Sequence, residues 1–484
     1  MNLAAKFRAP DSFRRNSEST PGLRSRALFW VAMAGVGLVT LAACAPQAQN
    51  ATPPQTQSAT TLPAQNTTAP RTQPATAPQT QAATAPLAPS GVELPGYKLV
   101  WSDEFSAVSW TEVSPKQSAK WLSTPSVGGK YIGFQVHDNE SMVIKDGIMV
   151  NTLGFKSKVD FDGSRCAGPL GMKNDAGAEL LSIEKLGEAK KGDKRLTWGG
   201  AGWVGMKFTT PAEGLTVSEL GLYNIAGNNE EHELRIFDAS TGDDVAKTII
   251  KLKGQPAGWV YGAIIGGKKV LAGGHTYCLM VWQYSKNDKW YDGQTTVTAT
   301  GGIKVAESEW GNWHAGSLFS IDRSGAGFMQ QYGYWEARVK MPAGGVGLWP
   351  SWCLYTNNKS GLGEEVDIFE EYGGSYEKDK DGGFGMRNHN WGTGPKQGAV
   401  DVWPPVSKPW LNWHIYGFLA TPTKCVYYVD GEKKAEFDTP TAYMNSPMYM
   451  TLEYNNGGGW PLTGLVANSH MDVDWLRVWA LPEK

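Results

Sequence analysis

The chain has 484 residues and a formal net charge of −2. That near-neutral balance gives no electrostatic basis for a nucleic-acid partner. With 21 Trp, 18 Tyr and 15 Phe beside 58 Gly and 28 Pro, the composition suits a turn-rich β protein offering many flat ring surfaces.

In chain order, Lys6, Arg8, Arg14, Arg15, Arg24 and Arg26 precede an uncharged, mostly apolar run from Ala27 to Ala43. The run is slightly short for a spanning helix, which needs about 20 residues. It reads as an export segment: a lipoprotein signal, with an ordinary signal peptide or a single membrane anchor as the alternative. Its "LAAC" end resembles the lipobox of bacterial lipoproteins. That resemblance implies a signal peptide over residues 1–44, lipidation of Cys44, and a product exported and lipid-anchored to the cell envelope, or otherwise secreted.

Residues 45–90 are almost entirely Ala, Thr, Pro and Gln, a composition that cannot bury a core and predicts a disordered, fairly extended tether. From Gly91 the texture changes. "YKLVWSDEF" opens a globular region over 91–154, in which "SMVIKDGIMVNTL" predicts two strands around a Lys145–Gly147 turn. Residues 155–306 carry alternating runs of their own, such as "LTVSELGLYNI" and "HELRIFDAS", and predict a smaller inserted β-sandwich. The charged stretch from Glu179 to Arg195 reads as a loop or surface helix. Residues 307–484 then resume a long antiparallel series, so the expected fold is an all-β sandwich or jelly roll with a second sandwich inserted. Cys166, Cys278, Cys353 and Cys425 follow no metal-ligand spacing; three pairings are open, and buried free thiols are expected.

"GEEVDIFEEYGG" sets four glutamates and one aspartate among strand-forming residues. Acidic residues are depleted in strands. Alternation places Glu365 and Asp367 on one face and Val366 and Ile368 on the other. One extra residue in a β-bulge would turn Phe369 inward and return Glu370 to the face of Glu365 and Asp367. Three carboxyls on one face suit the retaining cleavage of a glycosidic bond, which needs one carboxylate nucleophile and one protonated carboxyl. A central aspartate can drive the two proton affinities apart. Glu364 and Glu371 would face away as solvated rim charge.

"WSDEF", "YGYWEARVKMP", "GLWPSWCLY", "EEVDIFEE", "NWHIYGF", "YYVDGE" and "VDWLRVW", in that order, resemble glycoside hydrolase family 16 over 91–154 and 307–484. The resemblance implies a concanavalin-like curved jelly roll and a retaining endo-acting enzyme on a β-linked polysaccharide. β-Glucan is favoured and galactans such as agarose or carrageenan are the other known choice. It implies Glu365 as nucleophile, Asp367 as assisting aspartate and Glu370 as general acid/base, in the branch with a bulged strand. A transglycosylase on the same scaffold and a non-catalytic carbohydrate-binding lipoprotein are the alternatives.

Trp349 resembles a sugar-stacking platform, with Trp352 on the opposite, core face. His389 and Trp391 in "NHNW", Asn312 and Trp313 in "EWGNWHAGS", and Asn455 and Trp460 in "EYNNGGGW" are the remaining candidate substrate contacts. Glu104 in "WSDEF" is read as structural. "NDAGAE", "STGDD" and "NNEEHE" offer oxygen ligands without EF-hand spacing. No cofactor and no required metal is therefore expected; the resemblance allows a structural Ca²⁺. A monomer is expected.

Overall fold

The computed structural model describes residues 90–105, 120–123, 135–159, 170–191, 202–283, 288–292, 296–322, 324–356, 364–373, 383–390, 401–404, 406, 408–440, 444, 446–457 and 462–482. Cys44, the 45–90 tether apart from Ser90, Cys166, Trp391 and Trp460 lie outside them. Among the described residues the protein is all-β, without a helix.

Two large sheets face each other. One has seven strands, in the order Leu122–Ser123, Ser317–Phe319, Met448–Asn456, Leu348–Thr356, Glu364–Glu371, Phe384–Asn390, Asp401–Val402. The other has fourteen strands. Its centre runs through Lys304–Ala315, Ile148–Val159, Ser469–Ala480, Gly333–Lys340 and His414–Ala420. Side chains from both sheets fill one core: Trp352, Leu354, Val366, Ile368, Phe369 and Leu452 from the first meet Leu153, Trp335, Val339, Tyr416, Phe418 and Val473 from the second. Burying apolar faces of two sheets against each other is the stable solution for strands with one apolar side.

Local chemistry sets the connections. The Met142–Lys145 and Ile148–Val159 hairpin turns on Asp146 (φ 53°) and Gly147 (φ 77°), the pair of left-handed residues that a tight hairpin requires. Glu104 is structural: the Arg477 Nε and Nη2 atoms donate to it at 2.9 and 2.8 Å. The described part of the stretch predicted as a loop or surface helix, residues 179–191, contains no helix; Leu181–Lys185 and Glu188–Lys191 are strands paired with Thr296–Ala299 and Lys289–Asp292.

The inserted segment has a second core built from Leu170, Leu220, Leu222, Val204, Phe208, Leu234, Ile236 and Leu279 among others. Its larger sheet is not separate from the rest. Gly202–Thr209 pairs with Lys304–Ala315, which pairs with Ile148–Val159, so the fourteen-stranded sheet runs through both parts. The insert's strands are therefore covered on both faces: Val204 and Leu279 point into the second core, Trp203 and Met280 into the main one.

Candidate active site

The acidic strand Glu364–Glu371 lies between Leu348–Thr356 and Phe384–Asn390. Against the first, Cys353 pairs with Asp367, Trp352 with Phe369 and Ser351 with Glu370, leaving Ile368 as the extra residue. Against the second, the register shifts between Asp367 and Glu370. This is the bulge that the residue pattern predicts. Ile368 and Phe369 both enter the core. Glu365, Asp367 and Glu370 are brought together on the other face: the ligating atoms of Cys353, Glu365 and Asp367 fall within 4.8 Å of one another, as do those of Asp367, Glu370 and His389.

The neighbouring strand alternates in step. Leu348, Trp352 and Leu354 join the core, while Trp349 and Tyr355 reach the carboxyls. Trp349 Nε1 donates to Glu370 Oε1 at 2.8 Å, and the Tyr355 hydroxyl donates to Glu365 Oε1 at 2.5 Å. Glu370 Oε2 accepts from the Tyr372 hydroxyl at 2.8 Å and from Arg387 Nη1 at 3.2 Å. Arg387 also donates to the Tyr372 hydroxyl at 2.9 Å. Its guanidinium lies over the Tyr372 and Trp403 rings. Gly385, the register partner of Glu370, makes that approach possible: a Cβ there would come within 2.9 Å of Arg387 Nη2.

All three carboxyls are buried, yet they lie in a polar cluster and not among the aliphatic side chains. Burial, then repulsion from Asp367 and Glu370, pushes the Glu365 carboxyl well above the usual range, with His389 and the Tyr355 hydroxyl pulling the other way. Burial, then the Glu370 charge, raises Asp367 likewise; a hydrogen bond between Asp367 and Glu370 adds to the rise. The ionised Glu370 and a protonated Asp367 therefore favour each other. Three donors on Glu370, one of them cationic, favour its ionised form.

The other candidates divide. His389 is the register partner of Glu365; its Nε2 stands 3.1 Å from Asp367 Oδ2, and its ring is 19% exposed. Trp349 is on the site face, but its ring is buried at 7% and stacked on Tyr372, so its clearest contact is the hydrogen bond to Glu370. Asn455 is buried on the Met448–Asn456 strand, 3.5 Å from Ser351 Oγ. Asn312 and Trp313 are not at the site. They lie on the fourteen-stranded sheet, where the Trp313 ring is fully buried against Trp203, Phe237 and the Arg235 guanidinium; the apolar face of the strand outweighed the loop reading. Glu371 is no rim charge either: it is fully buried, and burial first, with the Glu371 charge adding to it, raises the Tyr416 and Tyr454 hydroxyls. Cys278, Cys353 and Cys425 are buried free thiols, and burial raises Cys353.

Sequence reasoning missed Arg387, Tyr372, Tyr355 and a fourth carboxyl, Glu453. Only the alternation from Trp349 through Ser351 and Cys353 to Tyr355 hinted at Tyr355; cross-strand register places the others. A cation could contact Asp367, Glu370 and His389, but Arg387 and Trp349 already engage the Glu370 oxygens, and a guanidinium repels a metal ion.

The endo-1,3-1,4-beta-glycanase ExsH of Rhizobium meliloti (strain 1021) is 30% identical over 39% of this chain and 39% of its own length. Xyloglucan endotransglucosylase/hydrolase protein 3 of Arabidopsis thaliana is 27% identical over 32% of this chain and 56% of its own. The chain thus spans well under two thirds of either relative. Among solved structures, SCLam, a non-specific endo-beta-1,3(4)-glucanase from family GH16, aligns over 82% of this chain and 95% of its own at 15% identity, with a TM-score of 0.40. Residues 283–477, which hold every strand of the seven-stranded sheet except Leu122–Ser123, match the family described as Glycosyl hydrolases family 16.

Proposed function

We propose that the protein is a retaining, endo-acting glycoside hydrolase of a β-linked polysaccharide. The observation that carries this reading is the bulge at Ile368, which aims Glu365, Asp367 and Glu370 at one place. In the reading, the Glu365 carboxylate attacks the anomeric carbon while the glycosidic C–O bond breaks and the departing oxygen takes a proton from Glu370. Water then attacks the glycosyl–Glu365 ester, giving its proton to Glu370 and freeing Glu365. Asp367, hydrogen-bonded to Glu370, holds the proton that Glu370 needs when substrate arrives.

β-Glucan is the substrate class we favour, supported by the name of the Rhizobium meliloti relative as an endo-1,3-1,4-beta-glycanase. Galactans are the other class to test. We further propose that the protein is exported and held at the cell envelope by a lipid on Cys44, with residues 45–90 as its tether. The purified protein should be screened on laminarin, mixed-linkage glucan, agarose and carrageenan. Short oligomers with the anomeric configuration of the cleaved bond are expected. Inverted products, or no cleavage of any of these polymers, would overturn the reading. A transferase outcome is the second reading, supported by the similarity to the Arabidopsis thaliana endotransglucosylase/hydrolase. It would appear as elongated products at high concentrations of acceptor sugar.

A further inference from the structure

Glu453 is the fourth carboxyl of the cluster and has no part in the reaction just described. It lies on Met448–Asn456, the second strand away from the acidic one, and is buried at 2%. Ser351, between them, is the register partner of both Glu453 and Glu370. The sheet thus carries Glu453, Ser351, Glu370 and Gly385 in a single cross-strand row, and Arg387 reaches Glu370 from the far end. Glu453 is held in place: Ser317 Oγ donates to its Oε1 at 2.6 Å. Asn455 is a second hydrogen-bonding partner.

We propose that Glu453 is a positioning residue for the reaction ascribed above, one whose negative charge opposes Arg387 across the row and keeps a proton on Glu370. A general acid needs that proton. The groups facing Glu370 leave little else for the task. Asp367 and Glu365 share its strand, Arg387 and His389 come from one neighbour, and Cys353 and Trp349 from the other, with Tyr372 donating from beyond the bulge. Arg387, Trp349 and Tyr372 all stabilise the charged form. Asp367 and Glu453 oppose them, and only Glu453 lies on the side away from the guanidinium. Glu453 also holds its own proton unusually well: burial, with the Glu370 charge behind it, pushes it up to about 7 despite Ser317 and Asn455. Each of the two carboxyls therefore makes ionisation of the other harder.

The inference rests on the hydrolase reading, and its test separates the two. Glu453→Gln removes the charge and keeps the shape; Glu453→Asp keeps the charge. In full-length protein, the ¹³C carboxyl titration of Glu370, assigned with Glu370→Gln, is followed beside the pH profile of kcat/KM on laminarin and mixed-linkage glucan. In Glu453→Gln the Glu370 midpoint and the alkaline limb should both fall by about one pH unit, the coupling expected of neighbouring carboxyls. Above that limb the activity falls by about tenfold. Glu453→Asp should restore both. An unmoved Glu370 titration in Glu453→Gln would overturn the proposal, even if activity or stability dropped evenly at all pH values. A wild-type protein inactive on every glycan would overturn the hydrolase reading instead, while the titration would still decide the coupling.

Discussion

The Arg387 guanidinium stands 3.2 Å from Oε2 of Glu370, the carboxyl that the motif assigns to acid/base work. Both side chains are almost wholly buried, so the attraction is weakly screened. It favours the ionised form of a group that the proposed mechanism needs protonated at the start. Arg387→Met should therefore raise the proton affinity of Glu370 and move the alkaline limb of kcat/KM to higher pH, the opposite direction to Glu453→Gln. A pH profile of the variant that keeps its wild-type limb would refute this.

Glu365 is expected to be indispensable. Glu365→Ala should lower kcat by about 10⁴-fold or more, as loss of a covalent nucleophile does. Binding of mixed-linkage glucan should persist, since every other side chain of the site is retained. Cleavage at the wild-type rate would assign the nucleophile elsewhere.

Asp367 should trade stability for chemistry. Its folded-state proton affinity is raised above that of the unfolded chain, by burial and then by Glu370. Below about pH 4, near the ordinary Asp value, both states are protonated and no penalty exists. As pH rises past that value the unfolded chain ionises first, binds fewer protons, and the folded state loses stability. Asp367→Asn should thus match wild type near pH 4 and melt higher at pH 8, by about 2–4 °C for each kcal/mol recovered. Thermal melts of the two proteins across this range decide it; equal melting temperatures at pH 8 would count against a protonated Asp367.

Trp349 and Trp313 should behave differently. Trp349→Phe keeps a ring against Tyr372 but loses the donor to Glu370. A drop in kcat/KM of about tenfold or more is expected from one hydrogen bond to a charged group, with little change in melting temperature. Trp313→Ala empties a site in the core and should cost about 3–5 kcal/mol of stability, leaving KM of the folded fraction unaltered. Denaturant melts beside steady-state kinetics separate the two effects.

The acid trio was legible because its signal is local. A strand alternates every two residues, and "EEVDIFEE" breaks that rhythm by one position where apolar Ile368 and Phe369 adjoin, so a bulge is the only way to bury both and keep Glu370 beside Asp367. The all-β class was legible for the same reason. Trp349 lies in a β run buried on both faces, and a run without a polar side carries no mark of which face meets substrate; "EWGNWHAGS" reads as a loop until its pairing as a strand turns Trp313 into the core. Arg387, Tyr372, Glu453 and the continuation of one sheet through the insert were decided by tertiary structure alone. Each depends on which strands become neighbours and in what register, and Glu453 and Glu370 are 83 residues apart in the chain yet separated by only Ser351 in the sheet. Short-range alternation chooses the face of a side chain; only long-range pairing chooses its company.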